Sequence, residues 1–168
     1  MELLPEHDVE RARLAFREAM ARLAAAVHIV TTDGPAGRAG FTASAVASVT
    51  DTPPTLLVCL NRSSSVAGLF EQNKVLCVNT LTTRHQDLSR LFGGATPQDE
   101  RFAGGEWTSR ETGAPVLSDA LISFDCRIEN AVASGTHHVL FCQVQSIVLG
   151  AADEEALVYF RRGYHGVG

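Results

Sequence analysis

Two long runs of alternating apolar and polar residues, at 121–132 and 139–149, constrain the fold of this chain more than any other feature. They flank Ser134, Gly135 and Thr136, small residues of the kind that reverse a chain between two strands. Alternation places every second side chain on the same face of a strand, so each run can bury one face and expose the other. The two runs predict a long antiparallel pair, and with it a fold built on an antiparallel sheet.

Shorter runs of β-branched and apolar residues surround this pair. They predict further strands at residues 27–32, 39–45, 47–49, 55–60, 75–80 and 157–160. Helical patterns are few, at residues 63–72 and 83–92 and in one segment that begins near Asp8. Because strands and helices do not alternate regularly, the pattern favours a mainly β fold with a few flanking helices, a closed or partly closed antiparallel barrel, over a doubly wound sheet.

The predicted N-terminal helix is amphipathic. One side of the helix carries the apolar residues Val9, Ala12, Phe16, Met20 and Leu23. Its arginines and acidic residues lie largely on the other sides.

Two other segments break the strand pattern. Pro53 and Pro54 remove two backbone donors, which limits that point to a loop or a sheet edge, whereas residues 55–60 are apolar on both faces and predict a central strand. Residues 95–115 are rich in glycine, proline, threonine and charge and predict an irregular stretch. Long loops of this kind in compact domains are usually lids or interface segments.

Length and charge narrow the class of protein. A chain of 168 residues has the usual size of one domain, so we expect residues 1–168 to form a single domain. Its apolar runs are shorter than the ~20 residues that cross a bilayer. The net charge of −5 argues against a nucleic-acid surface. An acidic N-terminus does not resemble a secretory signal, and we expect a cytoplasmic protein.

The four cysteines lie inside apolar runs without a Cys-x-x-Cys spacing. They are Cys59, Cys77, Cys126 and Cys142. Buried free thiols behave as small apolar side chains, so we expect these cysteines to pack in the core.

Polar side chains that could bind a ligand concentrate between Gly37 and Gly68. The familiar glycine-rich nucleotide loops and hydrolase motifs do not occur in the chain. Hydroxyl and amide side chains remain, at Thr42, Ser44, Ser48, Thr50, Asn61, Ser63, Ser64 and Ser65. The first four could hydrogen-bond a ligand or could line a solvated sheet face. The serine triplet could bind a phosphate at a helix N-terminus beside Arg62, or it could cap that helix.

Histidines offer a second set of candidates. His137 and His138 follow the predicted turn, and because they are adjacent in a strand they should face opposite sides of the sheet. At most one of them lines a given pocket, and the alternative is exposure to solvent. His28 lies inside a predicted strand and should be packed there. No histidine has a partner at zinc spacing, so we predict no metal.

Several separated motifs, in this order, resemble the short-chain flavin reductases that supply two-component monooxygenases. The motifs are FTASAVASVTDTPPTLLVCLNRSSS, VLCVNTL, DERFAGGEW, LISFDCRIENAVASGTHHVLFCQV and LVYFRRGYH. The resemblance covers nearly the whole chain, from Phe16 to His165. Within the family the sequence is most similar to the FMN reductases of pyrimidine (uracil) degradation, with the reductase of 4-hydroxyphenylacetate hydroxylase as a near relative.

The resemblance implies a homodimer of split β-barrels of the Greek-key FMN-binding kind, with one flavin per subunit near the dimer interface. It also implies which residues of this chain contact the flavin ring and its ribityl chain: Thr42, Ala43, Ser44, Ala45, Cys59, Leu60, Asn61 and Asn79.

The remaining implied roles concern the phosphate and the second substrate. Ser63, Ser64 and Ser65 would bind the phosphate. His137 would approach the nicotinamide, and Tyr164 would close the site.

The implied reaction is hydride transfer from NADH to FMN, with FAD as an alternative flavin, and the reduced flavin passes to a partner monooxygenase. The flavin and the nicotinamide supply the electronic change in such a reaction. Two alternatives stay open. The protein could retain its flavin and reduce another acceptor such as a corrinoid, or it could be a barrel that binds flavin or haem without turnover.

Overall fold

The structure, a computed structural model, describes residues 6–168, and strands dominate it. The helices are α1 (Glu6–Met20), α2 (Ala67–Asn73), α3 (Gln86–Gly93) and α4 (Gln98–Ala103), with a 3₁₀ turn at Thr83–His85. The strands are β1 (Ala25–Ala26), β2 (His28–Thr32), β3 (Ala39–Ala43), β4 (Val46–Asp51), β5 (Pro54–Asn61), β6 (Val75–Thr80), β7 (Trp107–Ser109), β8 (Pro115–Leu117), β9 (Ile122–Ser134), β10 (His137–Leu149), β11 (Ala156–Phe160) and β12 (Gly163–Val167). The predicted mainly β fold is confirmed.

Seven strands form one antiparallel sheet in the order β3-β2-β6-β9-β10-β5-β4. The two edge strands of this sheet, β3 and β4, follow one another in the chain and are separated only by Ser44 and Ala45. A chain rises at most about 3.6 Å per residue, so a linker of this length keeps the two edges close together. The sheet must therefore curl until its edges meet at Ser44 and Ala45.

The predicted pair of long strands is the β9–β10 hairpin. His137 pairs with Ser134, which leaves Gly135 and Thr136 as a two-residue turn. Gly135 has a φ of +54°, and a positive φ at the first turn residue is the type II′ geometry that matches the twist of a hairpin. The turn therefore forms where the sequence predicts it, and it fixes the position of His137.

The second hairpin, β4–β5, reverses at Thr52 and Pro53. It returns the chain so that Val58 pairs with Val46, and the Cys59 N–H donates to the Ala45 carbonyl over 3.0 Å. The proline turn thus brings Cys59 back beside Ala45. β5 also pairs with β10, so its central place in the sheet is confirmed.

Only one face of β5 is buried, which corrects the expectation that both faces are. Leu56, Val58 and Leu60 are buried, and they pack in the largest core cluster with Val30, Phe70 and other side chains. The other face, with Cys59 and Asn61, is partly or fully exposed. This second face is available to a ligand.

The helix predicted at residues 63–72 begins later, at Ala67. The side-chain carboxamide oxygen of Asn61 accepts hydrogen bonds from the Ser63 N–H at 2.9 Å and from Ser63 Oγ at 2.8 Å. This local bond holds the serines in a turn, because asparagine side chains compete with helical backbone bonds. Neither Ser63 nor Ser64 caps α2, and the helix dipole starts beyond them.

Residues 95–115 contain more regular structure than predicted, namely α4 and β7. Arg101 of α4 is buried, and its guanidinium donates to the carbonyl oxygens of Gly40, Phe92, Gly94 and Thr96 at 2.7–3.0 Å. These carbonyl groups compensate the loss of hydration of the charge. The segment is thereby fixed against β3 and α3.

The predicted apolar side of α1, which continues to Leu23 beyond the end of the helix, is not covered by the part of the chain that the structure describes. Val9, Phe16, Met20 and Leu23 are 52%, 66%, 47% and 59% exposed. In residues 6–168, helices long and apolar enough to cross a membrane do not occur.

Candidate functional site

Three neighbouring clefts lie along the surface where the edges of the sheet meet. The tyrosine cleft, of about 210 Å³, is lined by Val27, Thr42, Ala43, Ser44, Tyr159 and Tyr164. The helix cleft, of about 940 Å³, is lined by residues of the second half of α1 and of the segment that follows it, and by Ser44, Ala45, Tyr159 and Arg162. The residues of α1 are Leu14, Phe16, Arg17, Glu18 and Met20, and those after it are Ala21, Leu23, Ala24 and Ala25. The arginine cleft, of about 910 Å³, is lined by Arg13, Phe16, Arg17, Asn61, Arg62, Ser63, Gly135, Thr136 and His137.

Shared residues connect the three clefts into one surface. The tyrosine cleft and the helix cleft share Ser44 and Tyr159. The helix cleft and the arginine cleft share Phe16 and Arg17. A ligand longer than one cleft could therefore extend from Tyr164 past Ser44 to His137.

Hydrogen bonds from α3 hold the tyrosine cleft in shape. Tyr164 Oη lies 2.8 Å from Ser89 Oγ, and Thr42 Oγ1 donates to the Ser89 carbonyl over 2.6 Å. The rings of Tyr159 and Tyr164 meet edge to face with centroids 5.4 Å apart, a favourable aromatic geometry. Ser89 is thus a positioning residue for both walls of the cleft.

The arginine cleft is built by the ends of two neighbouring strands. His137 of β10 pairs directly with Asn61 of β5, so the two side chains lie on the same face of the sheet. His137 Nδ1 lies 2.8 Å from Thr136 Oγ1, which leaves Nε2 without a partner in the described residues. His138 pairs with Leu60 and lines a separate pocket on the other face, as predicted for adjacent histidines.

The structure brings most of the predicted site residues to this surface. Thr42, Ala43, Ser44, Ala45, Asn61, Ser63, His137 and Tyr164 line the three clefts. Ser64 and Ser65 lie in the turn that follows Ser63. Cys59 is on the same face of β5 as Asn61, whereas Leu60 faces the core with only 3% of its surface exposed.

Asn79, like Leu60, is a predicted site residue whose side chain does not reach the surface. It is fully buried, and its Nδ2 donates to the Ile29 carbonyl at 3.1 Å. Its Oδ1 accepts from the Leu117 N–H at 2.8 Å and from Ser123 Oγ at 2.9 Å. In this arrangement Asn79 connects β2, β8 and β9 below the site.

Several residues that line the clefts were not predicted from the sequence as site residues. They are Arg13, Phe16 and Arg17 of α1, and Tyr159 of β11. The spacing of Arg13 and Arg17 on one helix was the available signal, since residues four apart share a helix face. Nothing in the sequence says where that face lies.

Buried titratable groups lie outside the clefts. Burial lowers the pKa of His28 to about 4, and its Nδ1 lies 3.0 Å from Thr80 Oγ1. Burial also raises the pKa of the Cys142 thiol to about 12 and raises the pKa values of Cys77 and Cys126. The four cysteines are free, and the three with raised pKa values are packed in the core as predicted. For Cys59 the prediction is wrong, because it lies half-buried on the outer face of β5. Within residues 6–168, groups of three or more metal-ligating side chains do not occur.

Comparison with known proteins gives consistent matches over most of the chain. The family model described as the flavin reductase like domain matches residues 20–168. The FMN reductase (NADH) RutF of Variovorax paradoxus is 63% identical over 152 residues, which cover 90% of this chain and 84% of that protein.

Solved structures of flavin reductases also superpose on this chain. A protein from Haemophilus somnus described as a flavin reductase superposes with a TM-score of 0.89 at 51% identity, covering 92% of this chain and 98% of that chain. The styrene monooxygenase flavin reductase of Pseudomonas putida superposes with a TM-score of 0.80 at 25% identity, covering 91% of this chain and 97% of that chain.

Proposed function

The chain belongs to the flavin reductase-like family, and we propose that it is an NADH-dependent FMN reductase that supplies reduced flavin to a separate monooxygenase. The observation that carries the proposal is the connected surface formed by the tyrosine, helix and arginine clefts. It joins an end lined by small and aromatic residues, among them Thr42, Ser44 and Tyr164, to a cationic end lined by arginines and His137.

The chemistry of the three clefts fits a flavin mononucleotide. Ala43 and Ala45 carry no bulk, so a flat ring can approach the backbone between β3 and β4. Hydroxyl groups at Thr42 and Ser44 offer hydrogen bonds to a polyhydroxylated chain. The arginine cleft supplies positive charge that matches a phosphate. The exposed Ser63 hydroxyl, which donates to Asn61 Oδ1 in the structure, would rotate to donate to that phosphate.

Each residue has a separate role in the proposal. Thr42–Ala45 hold the ring and the ribityl chain, with Cys59 and Asn61 at the flank and Leu60 contributing through its backbone. Ser63, Ser64 and Ser65 bind the phosphate, and Tyr164 closes the ring end. Asn79 supports the site from the core side through its hydrogen bonds to β2, β8 and β9.

His137 orients the second substrate. Its Nδ1 is engaged by Thr136, so the ring is held with Nε2 free to hydrogen-bond a carboxamide such as that of nicotinamide. When bound, the flavin supplies a ring that accepts a hydride. The protein residues stack the two rings and exclude water, and the reaction requires no general acid from the chain.

We also propose a homodimer of split barrels, each barrel a single domain over residues 1–168, with the flavin near the interface. The uncovered apolar side of α1 supports this, because exposed apolar patches commonly mark interaction sites. The partner oxygenase would be of the pyrimidine-degrading or 4-hydroxyphenylacetate type. Four free cysteines support a reducing compartment such as the cytoplasm.

Turnover with free flavin tests the proposed function. Purified protein is mixed with NADH and a molar excess of FMN, and oxidation of NADH is followed by the loss of dihydronicotinamide absorbance. We expect many turnovers per protein, with FMN preferred over FAD. Tight retention of flavin without turnover would contradict the proposal and favour a non-catalytic barrel.

The role of His137 is tested with its neighbour as control. His137→Ala should lower kcat/KM for NADH by about tenfold, the loss expected for a single orienting hydrogen bond, while the Kd for FMN is unchanged. His138→Ala, on the opposite face of the same strand, should leave both constants unchanged. Equal kinetics of the two variants would remove His137 from the mechanism.

A further inference from the structure

The arginine cleft carries a concentration of positive charge that is unusual for this chain. Arg13, Arg17 and Arg62 line it, and among residues 6–168 no aspartate or glutamate belongs to its lining. The chain as a whole has a net charge of −5. A cationic cleft on an otherwise acidic protein attracts an anionic ligand to that place, because the remaining surface does not attract it.

The three guanidinium groups approach the cleft from two different elements. Arg62 follows β5, and its Nη1 donates to the Gly135 carbonyl at 3.2 Å, which fixes it beside the β9–β10 turn. Arg13 and Arg17 come from α1, on the other side of the cleft. A ligand between them would be held from both sides.

The two helix arginines differ in their partners. Arg13 donates to both carboxylate oxygens of Glu10 at 2.9 and 2.7 Å, and this bond is the main reason for the lowered pKa of Glu10. Arg17 makes no ion pair within the part of the chain that the structure describes, although it lines both large clefts. Its five donors are therefore available to a ligand.

We propose that α1 is a phosphate-binding arm of the active site, in which Arg17, assisted by Arg13, binds a phosphate group opposite Arg62 and Ser63. The ligand chemistry is a phosphate ester, from either the FMN phosphate or the pyrophosphate of NADH. Guanidinium groups match phosphate geometry with two parallel hydrogen bonds. The identity of the phosphate carrier rests on the proposed function, whereas the anion site rests on the geometry of the cleft.

Binding measurements without turnover test the arm. Arg17→Gln keeps a good helix former at an exposed position, so the fold should be unaffected. Arg11→Gln is the matched control, because Arg11 lies on the same helix, pairs with Asp8 and does not line the cleft. Dissociation constants for FMN and for riboflavin, which lacks the phosphate, are measured by flavin fluorescence at two salt concentrations.

A second series uses hydride donors with and without phosphates. Michaelis constants are compared for NADH and for 1-benzyl-1,4-dihydronicotinamide, which has no pyrophosphate. If the FMN phosphate is bound, Arg17→Gln weakens FMN about tenfold and leaves riboflavin unchanged. If the pyrophosphate is bound, the same variant raises the KM for NADH about tenfold and leaves the benzyl donor unchanged.

The outcomes separate this inference from the proposed function. Losses that are equal for phosphate-bearing and phosphate-free ligands, no loss at all, or the same loss in Arg11→Gln would overturn the phosphate-binding arm. Arg62→Gln, on the opposite side, should reproduce the selective loss. A wild-type protein that binds FMN but does not oxidise NADH would refute the proposed function, and the comparison of FMN with riboflavin would still decide the role of Arg17.

Discussion

At the scale of single residues, Asn79 was predicted from its motif as a ligand-binding residue, and the structure adds a role in the core that the motif does not reveal. Its place in a strand next to the site was readable from the sequence, but its burial was not. The groups that enclose it come from β8 and β9, and the Leu117 N–H that it accepts lies just beyond a segment that was expected to be irregular. Sequence reasoning could not place that segment over Asn79, because strands of three residues leave almost no periodic signal.

Replacing Asn79 tests whether its side chain stabilises the fold or binds the flavin directly. Asn79→Ala leaves the Leu117 N–H, Ser123 Oγ and the Ile29 carbonyl without their partner in the core. We expect the free energy of unfolding to fall by about 3 kcal/mol, with less than a twofold change in the Kd for FMN where the protein remains folded. Urea unfolding and flavin titration measure the two quantities. Asn130→Ala, at an exposed position in β9, should change neither.

His28 makes stability depend on pH. In the unfolded chain its pKa is near the ordinary value of 6.5, whereas burial lowers it to about 4 in the fold. Between about pH 6.5 and pH 4 the unfolded state therefore binds a proton at His28 that the folded state does not bind. The free energy of unfolding is highest above about pH 6.5 and falls as the pH is lowered towards 4. At 1.36 kcal/mol per pKa unit, the loss is about 3 kcal/mol.

Urea unfolding at several pH values measures this effect. His28→Gln should be less stable than wild type at pH 7 but should lose less stability on acidification. A parallel decline of the two proteins over this range would show that other groups cause the acid sensitivity.

At the scale of elements, turn chemistry was predictable and competition between polar side chains was not. The β9–β10 hairpin formed where Gly135 indicated it, because the backbone itself requires glycine there. The start of α2 was displaced because Asn61 occupied the hydroxyl and the N–H of Ser63. The two outcomes differ because the preference of glycine for positive φ can be read from one residue, whereas a hydrogen bond between two side chains cannot.

The turn at Gly135 can be tested against a glycine elsewhere. Gly135 and Gly113 both have positive φ, at +54° and +85°, and an added Cβ at either position meets no atom within 4 Å. Alanine at either site should cost about 1 kcal/mol of stability through backbone strain. Only Gly135→Ala should also raise the KM for NADH, because that turn positions His137. A similar rise in Gly113→Ala would show that the effect is general destabilisation.

At the scale of the whole molecule, the single chain leaves the apolar side of α1 uncovered. The amphipathic pattern of this helix was readable from the sequence, but an apolar stripe does not say whether its own chain or a second copy covers it. The structure excludes the described part of its own chain as the cover. The curled sheet, in contrast, could not be derived from local patterns, since it depends on which distant strands pair.

The proposed dimer predicts a mass in solution of twice that of the chain, measured by analytical ultracentrifugation. Val9→Glu combined with Met20→Glu places two charges on the apolar side of α1 and should shift the protein towards monomers, because charge is costly in an apolar interface. Arg11→Glu on the same helix should leave the dimer intact. A monomeric wild type at all concentrations would contradict the homodimer.

The short linker of Ser44 and Ala45 has a consequence for the order of folding. It joins neighbours in the sequence, yet the strands on either side are held in place by pairings between remote segments, such as His28 with Thr80, 52 positions away. Pairing of remote segments costs loop-closure entropy before the contacts between the strands stabilise the fold. Sheets with many such pairings therefore fold slowly. The ligand surface at Ser44 can form only after the last of these pairings, so recovery of flavin binding after dilution from denaturant should report the final event of folding.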